Sequence, residues 1–377
     1  MKRFIAGAAA AVMLLSGCTQ VNEDVEMGSE AVYIAPTVQE KRENYPLSLL
    51  SAEERAVYDK LIEAVNAYEK QFVAEGLDDF TAKKLFKLMY TQENRIFWVD
   101  SRYSFDSVTG TFDLLYRYDP AQTEEMRAVL DLEAGKILAD IPEGSDYDRV
   151  KYLHDQLILR SSFSLAGDHS HTSYGAIVDG SAQCEGYAFA MSYLCGRAGL
   201  DNYVVTGTSA EGDSHAWNKV YADGEWYNVD CTWDDPILKR ESKDYIRHDY
   251  LFLSDAEIDN ISHFIDNSHF SPLPCTATAN NYFAKEGLLC SEADQAAELM
   301  EKLIAQAAVQ KKCDVEIRFS NGTAYNEFVD ALFSKGGLKK IIGKLNGTSG
   351  ADIASAVKSV NDDLLIVHVS LIYEGEQ

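Results

Sequence analysis

The stretch "SHAWNKVYADGEWYNVDCTW", residues 214–233, decides how this chain is read. Two strand-like runs flank Asp223-Gly224, and an Asp-Gly pair between such runs is among the strongest short-range signals for a two-residue hairpin turn. With that turn, Ala222 pairs with Glu225, Trp217 falls opposite Asp230, and His215 falls opposite Thr232. His215 and Asp230 then share a face as diagonal neighbours, with Cα atoms about 7–8 Å apart, close enough for their side chains to meet. A slip of one residue would send one of them to the other face, so the pairing depends on the length of the turn. An aspartate within reach of a histidine fixes the imidazole tautomer and stabilises its protonated form.

Upstream lies "SAQCEGYAFAMSYLCGRAGL", residues 181–200. Tyr187, Met191, Leu194, Cys195 and Ala198 recur at steps of three and four, which predicts a helix opening at Cys184 with Gly199 placed to stop it. A thiol at a helix N-terminus gains from the unpaired N–H groups and the positive end of the dipole, which favour thiolate. Cys195, on the apolar stripe, reads as packing. If the helix start meets the hairpin face, Cys184, His215 and Asp230 form a nucleophile, base and orienting acid, and the Cys184 backbone N–H is available to an oxyanion.

These motifs, "QCEGYAFAMSYLCGRAGL" followed by "DSHAWNKVYADGEWYNVDCTWDDP", resemble the core of the transglutaminase-like superfamily. The family pattern sets a Cys at the start of a helix, a His in an H-A-W context on a strand, and an Asp in a V-D-x-T-W context next in order. Cys184, His215 and Asp230 match it in that order. The flanking "SYGAIVDGSAQC" and "DYLFLSD" are similar to bacterial secreted members, so the resemblance runs from roughly residue 145 to 275. It implies an α+β, papain-like core in which the Cys helix packs on an antiparallel sheet carrying His and Asp. It also implies thiol-dependent acyl transfer on peptide or protein amides. Water as acceptor makes a peptidase or amidase, and an amine makes a cross-linking enzyme; an open site in water favours hydrolysis. The rival from another class is an inactive, lipid-anchored module that binds cell-envelope peptides or polysaccharide.

For the oxyanion or cleft, Gln183 and Tyr174 are candidates that read equally well as turn or packing residues. Trp217, on the expected His215 face, is the tryptophan best placed to touch substrate, whereas Trp226 and Trp233 read as core or cleft walls. His154 sits beside an apolar helical stripe and reads as a core or capping histidine. The sequence predicts neither metal nor other cofactor: the closest histidine pair, His169 and His171, stands alone in a polar loop, and Asp234-Asp235-Pro236 reads as a turn with nothing to support calcium.

The N-terminus, "MKRFIAGAAAAVMLLSGC", has the charged, apolar and small-residue regions of a secretory signal over residues 1–17. Leu15-Ser16-Gly17-Cys18 resembles a bacterial lipobox, which implies lipid on Cys18, attachment to the cell membrane on its extracytoplasmic face, and a polar tether over 18–45; a plain signal peptide cut near Cys18 is the alternative. A mainly helical region is expected over 46–144, the transglutaminase-like core over 145–280, and a small α+β module over 281–377. That last module reads as a helix at 291–312, a strand at 313–319, helices near 323–333 and 350–360, and a closing strand "DLLIVHVSLIY". Acidic residues outnumber basic ones by 60 to 34, giving a net charge of −26, which excludes nucleic acid as a partner because its recognition draws on clustered positive charge. The seven cysteines contain no C-x-x-C pair. With Cys18 lipidated and Cys184 a free thiol, an odd number remains, so they do not form a disulfide framework.

Overall fold

The computed structural model describes residues 44–235, 246–259 and 261–374. The signal segment, Cys18 and nearly all of the expected tether lie outside them.

The site is organised by a five-stranded antiparallel sheet in the order His263–Ile265, Asn202–Ser209, Ser214–Ala222, Glu225–Val229, Leu251–Leu253. Its central hairpin has the expected register, with Ala222 opposite Glu225 and Asn218 opposite Val229. Asp223 and Gly224 both have positive φ, 52° and 100°, the backbone of a turn whose twist matches that of the flanking strands. The Asp223 side chain accepts the N–H of Asp146 at 2.9 Å, so the hairpin tip also holds the start of the helix Asp146–Arg160.

Against this sheet packs the helix Cys184–Arg197, in which every residue from Gly186 to Cys195 is buried. A helix buried on all sides belongs in a core, and only its two ends, Cys184 and Glu185 and then Gly196 and Arg197, reach the surface. Asp146–Arg160 packs alongside it, entered through a capping box between Ser145 and Asp148.

The N-terminal region shares one continuous apolar core with this unit. Its helices are Ala52–Asn66, capped by Ser51 and Glu54, Asp79–Gln92 and Pro120–Ala139. Besides these helices it holds a three-stranded sheet of Gln71–Val73, Thr111–Tyr116 and Val99–Asp106; Thr111–Tyr116 falls within "GTFDLLYRY", residues 110–118, which reads as a strand in the sequence, whereas the other two do not. The strand Val99–Asp106 buries little beyond Val99, so its sequence lacks the alternation that would reveal it. Stacking of Phe86 on Tyr103, with centroids 3.9 Å apart, fastens it instead.

The C-terminal residues form a four-stranded sheet, ordered Leu289–Cys290, Asp314–Phe319, Ile366–Tyr373, Ile353–Asn361, with the helices Ala293–Gln310, Gly322–Val329 and Gly337–Ser349 around their own apolar cluster. The helix expected near 350–360 is corrected here: the helix ends at Ser349, and Ile353–Asn361 is a strand paired along the length of Ile366–Tyr373. It is an edge strand with mostly exposed or half-buried side chains. Local pattern is therefore weak, and pairing with a buried neighbour decides the outcome.

One glycine sets how closely the Cys184 helix can approach the loop before it. A Cβ on Gly186 would lie 2.3 Å from the Ser170 carbonyl oxygen and 3.0 Å from Ala182 Cβ. Gly186→Ala therefore pushes the helix start off the 170–172 loop, and overpacking of this kind costs about 1–3 kcal/mol. The expected result is a lower urea midpoint with an unchanged slope; a midpoint equal to wild type would contradict the contact.

Candidate active site

Cys184 is the first residue of its helix, and the preceding Gln183, in extended backbone, supplies no side-chain cap. The first-turn N–H groups are thus left without a capping side chain beside the thiol. Cys184 is partly exposed, whereas Cys195, Cys231, Cys275 and Cys290 are buried. Burial pushes the thiols of Cys195 and Cys275 up to about 12. Among these five, only Cys184 combines solvent access with a helix terminus.

Cys184 Sγ lies 3.9 Å from the carbonyl oxygen of Ser214, the residue before His215, and the sulfur interacts with the His215 ring. His215 is almost fully buried, and its Nε2 lies 2.6 Å from Asp230 Oδ2. Burial alone would lower the imidazole pKa; the Asp230 carboxylate overrides this and raises it to about 10, with a smaller contribution from Cys184. Burial would likewise raise Asp230, but His215 and then His263 hold its carboxyl well below the usual carboxylate range. The pair is an ion pair in a dry setting.

Asp230 stands one step beyond its strand. The ladder expected to place Trp217 opposite Asp230 ends at Asn218 and Val229, and the Asp230 N–H donates instead to the Tyr250 carbonyl at 3.1 Å. The carboxylate is then fixed at both oxygens: Oδ1 accepts from the Thr232 and Trp233 N–H groups at 2.9 and 3.3 Å, and Oδ2 meets both His215 and His263 Nε2, the latter at 3.0 Å. Sequence reasoning missed His263. It is fully buried, its Nδ1 lies 2.8 Å from Ser262 Oγ, and it sits on the three-residue edge strand His263–Ile265. So short a strand carries no periodic signal, and only the sheet order brings residue 263 to Asp230.

The remaining candidates divide. Trp217 stacks on His215 at 5.9 Å but is 1% exposed, and its Nε1 donates to Asn228 Oδ1 at 3.2 Å. It therefore backs the imidazole as a wall and has no surface to offer a substrate, which corrects the expectation of contact. Trp233, half-buried with its ring 5.3 Å from His215, is the tryptophan beside His215 that keeps an exposed edge. The Gln183 amide nitrogen lies 3.0 Å from Ser170 Oγ and 3.1 Å from His171 Nε2, so both of its hydrogens are directed to the loop. Tyr174 packs its ring against Phe97 and His169. The polar loop is tied to the helix start by His171 Nδ1 and Glu185 Oε2, 3.0 Å apart. His154 is fully buried, between Asp155 and Asp234 at 2.9 and 3.1 Å. A cavity of about 610 Å³ opens at the far end of the Cys184 helix, lined by Asn44, Asn94, Arg197 and Asn202 among others, and none of Cys184, His215 and Asp230 borders it.

Residues 136–231 match the family model described as Transglutaminase-like superfamily. Kyphoscoliosis peptidase of Mus musculus and that of Homo sapiens are each 30% identical to this chain over 103 residues, covering 24% of it and 16% of their own length. The chain thus spans less than a fifth of these relatives. A solved structure described as a TGase is 17% identical, with a TM-score of 0.27, over 50% of this chain and 55% of the other. Residues 136–231, which carry Cys184, His215 and Asp230, are a transglutaminase-like superfamily domain within a larger chain of mixed helix and sheet.

Proposed function

We propose that the protein is a thiol-dependent acyl-transfer enzyme acting on peptide or protein amides, with Cys184 as nucleophile, His215 as proton carrier and Asp230 as the acid that orients it. The observation that carries the reading is the 2.6 Å His215–Asp230 pair facing a partly exposed cysteine at an uncapped helix start. The Cys184 thiolate attacks the substrate carbonyl carbon, and the oxyanion that forms is held by the backbone N–H of Cys184 and the first turn. As the tetrahedral intermediate collapses, imidazolium His215 gives its proton to the departing amine, and a thioester remains on Cys184. Water then adds to the thioester, His215 takes its proton, and cleavage of the C–S bond releases the acid and restores the thiolate. Hydrolysis is favoured over transfer to an amine because the sulfur is partly exposed to solvent.

The N-terminal sequence supports an extracytoplasmic enzyme held to the membrane by lipid on Cys18, with cell-envelope peptides as the substrate class. No helix among the described residues is long and apolar enough to cross a membrane.

Three outcomes test the reading. Cys184→Ala should reduce turnover of a peptide amide by about 10³-fold or more while leaving the circular dichroism spectrum unchanged; residual turnover near wild type sinks the assignment. Alkylation of Cys184 by iodoacetamide, followed against pH by peptide mass spectrometry, should be faster in wild type than in His215→Ala, because His215 interacts with the sulfur. Identical profiles in the two proteins would leave a binding module as the better description.

The third outcome concerns stability. His215 has a folded-state pKa raised above its ordinary value of 6.5 to about 10. Its stabilisation is therefore fully present below pH 6.5 and is lost as pH rises through about 10. Asp230→Asn removes the charge that raises it, so the variant should lack this alkaline decline in denaturation midpoint between pH 6.5 and 10, whereas wild type shows it.

A further inference from the structure

Three clusters of histidine with carboxylate occur among the described residues: His215, Asp230 and His263; His154, Asp155 and His248; and Asp249, Glu316 and His368. In the first two, one carboxylate lies between two imidazoles at hydrogen-bonding geometry, at 2.6 and 3.0 Å in the first and at 2.9 and 3.1 Å in the second. Both are complete as they stand.

The third is built differently. Asp249 lies just ahead of the strand Leu251–Leu253, while Glu316 and His368 face each other across neighbouring strands of the C-terminal sheet. Asp249 and His368 are each 2% exposed. Each carboxylate has one oxygen anchored from behind: Glu316 Oε1 lies 2.6 Å from His248 Nδ1, and Asp249 Oδ2 accepts from Asn361 Nδ2 at 3.0 Å. The other oxygens, Glu316 Oε2 and Asp249 Oδ1, and His368 Nε2 make no well-aligned hydrogen bond, although Asp249 and His368 stand as an ion pair. Asp249 Oδ1 is only 2.8 Å from His368 Nε2, and Glu316 Oε2 is 3.4 Å from His368 Nδ1. In neither contact does the oxygen lie where the ring N–H would donate.

A buried polar atom left without a well-aligned partner costs about 1–3 kcal/mol, and three at one place call for a common occupant. A proton does not suit atoms close together but misaligned for donation; a cation, which each atom meets with its own lone pair, does. Two ligands held at about 2.0–2.2 Å from one metal ion stand close to 3 Å from each other, as Nε2 and Oδ1 do. Anchoring of the second carboxylate oxygen by an outer histidine or amide is the support that metal ligands commonly have. Imidazole with two carboxylates suits zinc and its first-row neighbours, since calcium and magnesium favour all-oxygen sites. Arg247 places a positive charge near Asp249 and offsets only part of the negative charge of the two carboxylates.

We propose that Asp249, Glu316 and His368 bind one divalent transition-metal ion of the zinc class, joining the segment before Leu251–Leu253 to the C-terminal sheet. The fourth position is open to water or a small anion. The site is distinct from Cys184, His215 and Asp230, and the proposal stands whether or not those residues catalyse acyl transfer.

The experiment uses the full chain with Cys184→Ala, which removes the competing partly exposed thiol beside His215. After stripping with a chelator, the protein is dialysed against buffered Zn²⁺, its metal content is measured, and thermal unfolding is followed with and without the ion. About one equivalent of zinc per chain is expected, together with a rise in Tm. Asp249→Asn and His368→Gln, which keep shape and remove a ligand, should each weaken binding at least about tenfold. X-ray absorption of the bound zinc should show nitrogen and oxygen neighbours and no sulfur, and this readout needs no ligand variant to fold. Less than about a tenth of an equivalent bound, equal binding in the ligand variants, or a sulfur shell would overturn the proposal. In the first of those cases His368 is simply a buried imidazolium between two carboxylates.

Discussion

The constraint on which the centre of this molecule depends is one buried carboxylate. A charge taken out of water costs several kcal/mol unless neighbours replace its hydration, and Asp230 meets that demand with four contacts: two backbone N–H groups on Oδ1 and two imidazoles on Oδ2. Those partners come from the turn after its own strand, from the adjacent strand, and from the far edge of the sheet. The sheet order and the turn length together bring these partners to this one group. Once seated, it leaves His215 little freedom, and the imidazole presents a fixed edge to the sulfur.

The helix that delivers Cys184 answers a second demand, that a residue at the mouth of a buried helix stay reachable. Burial is nearly total from Gly186 onward. The close approach at Gly186 and the hydrogen bond from Gln183 N–H to the Ser170 carbonyl, 2.8 Å, press the first turn against the polar loop. His171, Glu185 and Gln183 knit the two together. The thiol consequently sits where the buried helix meets a polar loop.

Much of this was legible in the residues. Asp223-Gly224 specified the hairpin register, and the spacing after Cys184 specified the helix, because both are local patterns with strong physical causes. What escaped reading was non-local or unpatterned. His263 belongs to the site through sheet order alone. Ile353–Asn361 is a strand because its neighbour is one. The strand Val99–Asp106 buries too little to announce itself. Trp217 was placed on the right face, but alternation does not say whether that face opens outward or is covered, and here it is covered. Asp249, Glu316 and His368 come together although 67 positions separate the first two and 52 the last two, separations no window of sequence spans.

The edge strand His263–Ile265 has a bearing on how the chain is made. Among the named strands it pairs with Asn202–Ser209, and it completes the shell around Asp230 long after Cys184 has been synthesised. Chains emerge and fold N-terminal first, at about 5–20 residues per second, so for several seconds a nascent chain holds the cysteine, His215 and Asp230 without the second imidazole. During that interval the carboxylate lacks one of its neutralising partners, and the pocket has one open side. The full set of partners around Asp230 is thus completed late in the life of the chain, set by where residue 263 falls in the order of synthesis.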